Sequence, residues 1–293
     1  MHYINARSIL SASNGMNIYR GCAHGCIYCD ARSVCYGMKH DFEDIQVKIN
    51  APELLEKALA SKRKKCMIST GAMSDPYQPL ERSLGLTRQC LQIVRDHGFG
   101  IALQTKSPDI LRDMDLLTDI HRRARCVVQM TLTTADPALC RLIEPNVADT
   151  QARFRALMEF HRAGIPVAVW ITPLLPFIND TPENLSALLD MCEEAGASAV
   201  LAFNMGLTLR DGDREYYYRA LDRHFPGLRS EYVRRYGNAY ELPSPRAREL
   251  WRIFDDRCRK RNILHHPEEV FSWLSRWPEP SPVRQISLFD SDF

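Results

Sequence analysis

The stretch that decides the reading is Gly21-Cys22-Ala23-His24-Gly25-Cys26-Ile27-Tyr28-Cys29. It puts three thiols within eight residues, on a loop that two glycines leave free to bend. Thiols at this spacing converge on one metal centre, and soft thiolates suit zinc or an iron–sulfur cluster. A structural zinc site is normally closed by four ligands. Cys35 is the obvious fourth candidate. Three ligands on a four-iron cluster would instead leave one iron open to a substrate or cofactor. Cys26-x2-Cys29 alone also reads as a redox pair.

Outward from this loop, short apolar runs alternate with amphipathic stretches. Strands are expected near Met16–Tyr19, Cys66–Thr70, Gly100–Thr105, Cys126–Leu132, Val167–Ile171 and Ala199–Phe203. Between them lie helical patterns over Ala51–Ser61 (capped by Asn50), Thr87–His97, Asp109–Arg122 with a break near Asp113, and Asp149–Ala163. A further helix opens at Thr181-Pro182 and ends at Gly196. Six strands alternating with helices imply parallel βα units. The handedness of such units leaves a doubly wound α/β sheet or a barrel. The thiol loop follows the first strand.

The whole chain has 293 residues, with 38 Lys+Arg against 36 Asp+Glu, a net charge of +2. That balance gives no polyelectrolyte signal for nucleic acid or membrane. With 45% hydrophobic and 25% charged residues, the composition excludes collagen, coiled coil and general disorder. No apolar run reaches the ~18 residues of a spanning helix, and the first residues lack a secretory pattern. A cytoplasmic protein with no membrane partner is expected, its ten cysteines serving as reduced thiols and metal ligands rather than as a disulfide framework. Between Arg214 and Arg261 the balance shifts to 13 Lys/Arg against 7 Asp/Glu. Tyr216, Tyr217, Tyr218, Tyr232, Tyr236, Tyr240 and Trp251 lie among them. Arginines that neutralise phosphate, beside rings that stack on bases, suggest nucleic acid.

Cys-x3-Cys-x2-Cys with Tyr28 before the last cysteine resembles the signature of the radical S-adenosylmethionine (SAM) enzymes. The resemblance implies a partial (β/α)6 TIM-type barrel over 1–205. It also implies a [4Fe–4S] cluster on Cys22, Cys26 and Cys29, and SAM as the second cofactor. The reaction implied is reductive cleavage of SAM to a 5′-deoxyadenosyl radical, with an electron donor such as flavodoxin or ferredoxin. The flanks Asn17–Gly21 and Asp30–Arg32 narrow the likeness to the spore photoproduct lyase-like branch. So do Ser74–Glu81, Thr105–Ser107, Leu142–Pro145 and Pro173–Pro176. That branch implies SAM contacts from Tyr28, Ser74, Lys106, Thr131, Glu144 and Arg153, with Tyr77 as a candidate radical relay. It also implies lyase-like chemistry on DNA. Two departures stand out. The branch's hydrogen-donor cysteine is missing from Gly71-Ala72-Met73-Ser74-Asp75, and Asp30 replaces the tyrosine after the last cluster cysteine. A radical modifier of RNA, peptide or a small molecule is the alternative enzyme, and a zinc-stabilised nucleic-acid adaptor the alternative without catalysis.

A basic, tyrosine-rich helical region is expected over 206–276, then a Pro-rich linker and extended tail over 277–293. The tail's Gln285-Ile286-Ser287-Leu288-Phe289 resembles the peptide with which bacterial DNA-processing proteins dock on the sliding clamp. Leu288 and Phe289 would be its apolar anchors and Gln285 its hydrogen-bonding residue.

Overall fold

A computed structural model describes residues 1–278. Its main sheet has six parallel strands in sequence order: β1 (Gly15–Met16), β2 (Met67–Thr70), β3 (Gly100–Thr105), β4 (Cys126–Thr131), β5 (Val167–Trp170) and β6 (Ala199–Leu201). β1 and β6 are the sheet's two edges and do not pair with each other, so the barrel is partial, as expected. Strands β3 to β5 are apolar on both faces because both faces are covered. Ile101, Leu103, Val128, Met130, Val167 and Val169 join the core beneath the surrounding helices. The alternate residues Met67, Ala102, Val127, Ala168, Ala199 and Leu201 line the concave side, where three alanines leave room.

The helices follow their capping signals. Asp149 Oδ1 accepts from Ala152 N at 2.8 Å ahead of Thr150–Arg162, and Thr181 Oγ1 accepts from Asn184 N at 3.1 Å ahead of Pro182–Glu194. Each such cap contributes about 1 kcal/mol. The expected break near Asp113 is a change from a 3-10 helix over Pro108–Asp113 to an α-helix over Met114–Arg123. Asn50 precedes its helix but does not cap it. Its side chain instead pairs with the Ala6 backbone, accepting from N at 2.9 Å and donating to O at 3.0 Å.

The first expected strand is really two. Gly15–Met16 pairs with β2, and Tyr19–Arg20 turns away to pair antiparallel with Gln46–Lys48, which in turn pairs with His2–Ile4. The thiol loop therefore leaves from this small side sheet. The C-terminal region packs onto the barrel. Leu250, Phe254 and Cys258 of helix Ala247–Lys260 join the main core. Val270 and Leu274 of helix Pro267–Ser275 fill the concave side. An antiparallel pair of Gly206–Thr208 with Glu241–Pro243, joined through two helices, was not foreseen. No described helix is long and apolar enough to cross a membrane. Gln285, Leu288 and Phe289 lie outside the described residues.

Candidate active site

A cavity of about 600 Å³ opens at the C-terminal ends of the strands. On its wall are Cys22, Cys26, Cys29 and Tyr28 from the thiol loop, Ser74 from the loop after β2, Lys106 just past β3, and Thr131 at the end of β4. Seven of the residues expected at the site are thus gathered around one space. Cys35 is exposed, takes hydrogen bonds from Ser33 and Arg210, and is not part of this wall, so it does not complete a four-thiol set. Tetrahedral zinc would hold sulfurs roughly 4 Å apart. Among the described residues the three thiols do not all lie within 4.8 Å of one another, so at least one pair is set wider than that.

The loop is held open by backbone geometry and by side chains from three directions. Gly21 has φ +87°, and a Cβ there would stand 2.3 Å from the Phe42 carbonyl oxygen. Ser74 Oγ donates to Gly21 O at 2.8 Å. Buried Gln78 accepts from Ala23 N at 3.0 Å, and Asn146 donates to Ala23 O at 2.9 Å. Asp75 is the junction. Its carboxylate accepts from Tyr77 N at 2.8 Å, Thr105 Oγ1 at 2.6 Å and Lys106 N at 2.7 Å, with His24 Nδ1 3.4 Å away. Asp75, Gln78 and Asn146 were not singled out from sequence, although the first two lie in a stretch that carried the family likeness.

Burial pushes the Cys22 thiol up to about 12 and raises Cys26 and Cys29 as well. A metal ion inverts that tendency, because it binds sulfur as thiolate. Burial opposes the charge on Lys106, but Cys26, Glu144 and Asp75 outweigh it and hold the ammonium above its ordinary range. Lys106 Nζ donates to Thr131 Oγ1 at 3.3 Å and sits 5.9 Å from the centre of the Tyr28 ring.

Three expected site residues stand elsewhere. Glu144 and Arg153 are fully buried behind Tyr28 and do not reach the cavity wall. Glu144 accepts from the Tyr28 hydroxyl and from Arg153, and Arg153 also donates to Thr131 O at 2.8 Å. They fix two wall residues from behind. Tyr77 is also buried off the wall, its hydroxyl donating to Asp113 at 2.8 Å. Tyr217, Tyr218 and Tyr232, expected among stacking rings, are buried. The Tyr217 hydroxyl meets that of Tyr232 at 2.8 Å, and Tyr232 donates to Pro176 O at 2.7 Å. They bolt the C-terminal helices to the barrel rim and offer no face to a base.

A partial parallel barrel with three thiols and a half-buried cation at its C-terminal mouth is the arrangement of an enzyme that holds a thiolate-bound metal centre beside an anionic group. Residues 16–192 match the family described as the Radical SAM superfamily. The chain belongs to that superfamily, and its cofactors are a [4Fe–4S] cluster and SAM. Three thiols fit a cluster with one open iron, and the cavity beside them carries the cation and hydroxyls that a zwitterionic nucleoside needs.

An uncharacterized protein of Mycobacterium tuberculosis is 31% identical over 243 residues, covering 81% of this chain and 71% of its own length. One from Methanocaldococcus jannaschii is 32% identical over 181 residues, covering 60% of this chain and 66% of its own. Among solved structures, a spore photoproduct lyase variant has the same fold, with TM-score 0.62 at 13% identity over 90% of this chain and 80% of that one. Spore photoproduct lyase complexed with dinucleoside spore photoproduct gives 0.59 at 14% identity, over 85% and 74%.

Proposed function

We propose that this radical SAM enzyme acts on a base of DNA, in the cytoplasm, with lyase-like chemistry and a ferredoxin- or flavodoxin-type electron donor. When bound, cluster and SAM together supply hydrogen-atom abstraction. The chain's own residues bind and orient. Cys22, Cys26 and Cys29 hold the cluster. Lys106 pairs with the SAM carboxylate. Thr131 offers a hydroxyl, and Ser74 offers acceptor lone pairs because its own proton goes to Gly21 O. Tyr28 packs beside the nucleoside, fixed from behind by Glu144 and Arg153.

The observation that carries the DNA reading is Gln104. Its amide has no hydrogen-bond partner among the described residues, and it lies on the boundary between the mouth and a second space of about 430 Å³ on the concave side. Trp170 shares that boundary, with Phe203 5.7 Å away and Phe271 6.0 Å away, centre to centre. A free amide beside aromatic rings suits a planar base with a donor–acceptor edge. Ala72 and Met73 stand on the wall where the branch places its thiol. Neither returns a hydrogen atom readily, so clean repair of spore photoproduct is not expected.

The test is anaerobic turnover of reconstituted enzyme with and without ultraviolet-irradiated DNA. Irradiated DNA should raise 5′-deoxyadenosine formation, in excess over any thymine released from spore photoproduct. A rate indifferent to DNA overturns the reading. For the tail, we propose docking on the bacterial sliding clamp through Gln285, Leu288 and Phe289. Such a peptide orders on binding, so affinity should be on the order of micromolar. A titration with purified clamp that shows no binding refutes it.

A further inference from the structure

Helix Ala247–Lys260 turns Leu250, Phe254 and Cys258 into the core. Beside that face, on a flank centred about 110° from it at 3.6 residues per turn, stand Arg248, Trp251 and Arg252, all exposed, with Trp251 next to the core edge. Arg246 precedes them and pairs with Glu249 at 3.0 Å. Arg248 and Arg252 have no carboxylate partner among the described residues. Pro245, Arg246, Arg248, Glu249 and Arg252 enclose a shallow groove of about 390 Å³. The Trp251 ring is propped edge-on against buried Phe254, 5.7 Å between centres at 78°, which fixes its direction.

This groove is next to the cavity mouth. Tyr240 and Glu241 are on the cavity wall, and Pro245 is four residues further on, at most about 14 Å of extended chain. Ser244 N donates to Met205 O at 2.8 Å, which fastens the start of this helix beside Asn204, another wall residue. The helix therefore begins at the rim where the cavity opens.

We propose that Arg248, Trp251 and Arg252 form a track for single-stranded DNA leading away from the active site. The track rests on the DNA reading given above and adds to it the form of the strand and its path. Arginine forks neutralise phosphates, and a fixed indole stacks on any base because every base has a π face. Tyr217, Tyr218 and Tyr232 are buried and offer no stacking face, and on this helix Trp251 is the large ring between exposed arginines.

The test uses the full-length, cluster-loaded protein and a labelled oligothymidylate of about a dozen nucleotides, titrated across a salt series. Wild type should bind at low salt with a negative salt slope. R248A/R252A should weaken binding at least tenfold and reduce the slope by about 1.4, since each phosphate contact on a single strand contributes roughly 0.7. R248K/R252K should keep most of the slope. W251A should weaken binding about tenfold with the slope unchanged. Iron content and SAM cleavage without DNA should stay at wild-type levels in all three. Wild-type binding with an unaltered slope in R248A/R252A overturns the track and leaves the DNA reading standing. Failure of wild type to bind single-stranded or duplex DNA overturns both. Tighter binding of oligouridylate than of oligothymidylate overturns the assignment to DNA.

Discussion

Arg153 Nη2 donates to Glu144 at 2.5 Å with neither side chain exposed to solvent, and the Tyr28 hydroxyl closes on the same carboxylate. This buried pair connects the ring beside the cluster cysteines to the end of β4. Removing one partner of such a pair costs about 3–5 kcal/mol, because the other charge is left buried and alone. Arg153→Met should lower stability in denaturant titration by that amount, and Glu144→Leu combined with Arg153→Met should lower it less. A double variant as unstable as the sum of the two singles would contradict the pairing.

The same pair sets a pH dependence. Burial disfavours the Glu144 carboxylate, but Arg153 and Lys106 overcome this and hold its pKa below the ordinary value. The unfolded chain then binds the proton more readily than the folded one. The stabilising contribution is complete above the unfolded carboxylate range, about pH 4–5, and is lost as pH falls through the lower folded value. Glu144→Gln should flatten the stability curve below pH 5 relative to wild type.

Cys22→Ala, Cys26→Ala and Cys29→Ala should each abolish reductive SAM cleavage and lower iron and sulfide below the four of each per chain expected after anaerobic reconstitution. Cys35→Ala should retain both. A cluster that needs Cys35 would restore the four-thiol reading.

Lys106→Ala should weaken SAM binding by ~1–3 kcal/mol, the range of a charge-assisted hydrogen bond. Iron content should be unchanged. Isothermal titration at wild-type affinity would take Lys106 out of the SAM site.

Asp75→Ala removes the acceptor of two backbone N–H groups and one hydroxyl. Each buried donor left unpaired costs about 1–3 kcal/mol. The variant should melt well below wild type and assemble its cluster poorly, as measured by thermal unfolding and iron content. A wild-type melting temperature would show that water replaces the carboxylate.

The thiol loop and the alternating strands are legible because each rests on local pattern or spacing, whereas Tyr28, Ser74, Lys106 and Thr131 are reached only through the family resemblance, which the cavity wall then brings together. For Glu144 and Arg153 the resemblance names a charged residue near the site but not the side of Tyr28 on which it stands, and both stand behind the ring. Tyr217 and Tyr232 show the same limit. A tyrosine among arginines looks solvent-facing until the hydroxyl partners, here Pro176 O and a second tyrosine, come from another part of the chain. Asp75 lay unremarked in a matching stretch because its partners, Thr105 and Lys106, are thirty residues away in sequence and adjacent only through β2–β3 pairing.

Helix Pro267–Ser275 covers the concave face with Val270 and Leu274. A ribosome makes this helix after all six strands, so the nascent barrel waits with Met67, Val127 and Leu201 open to water until residue 275 has emerged. Domains are generally completed in the order of synthesis. Here the segment made late covers a face whose strands are made much earlier. A nonsense mutation before Pro267 would therefore release a chain with every cluster ligand and all six strands but an uncovered apolar concave face.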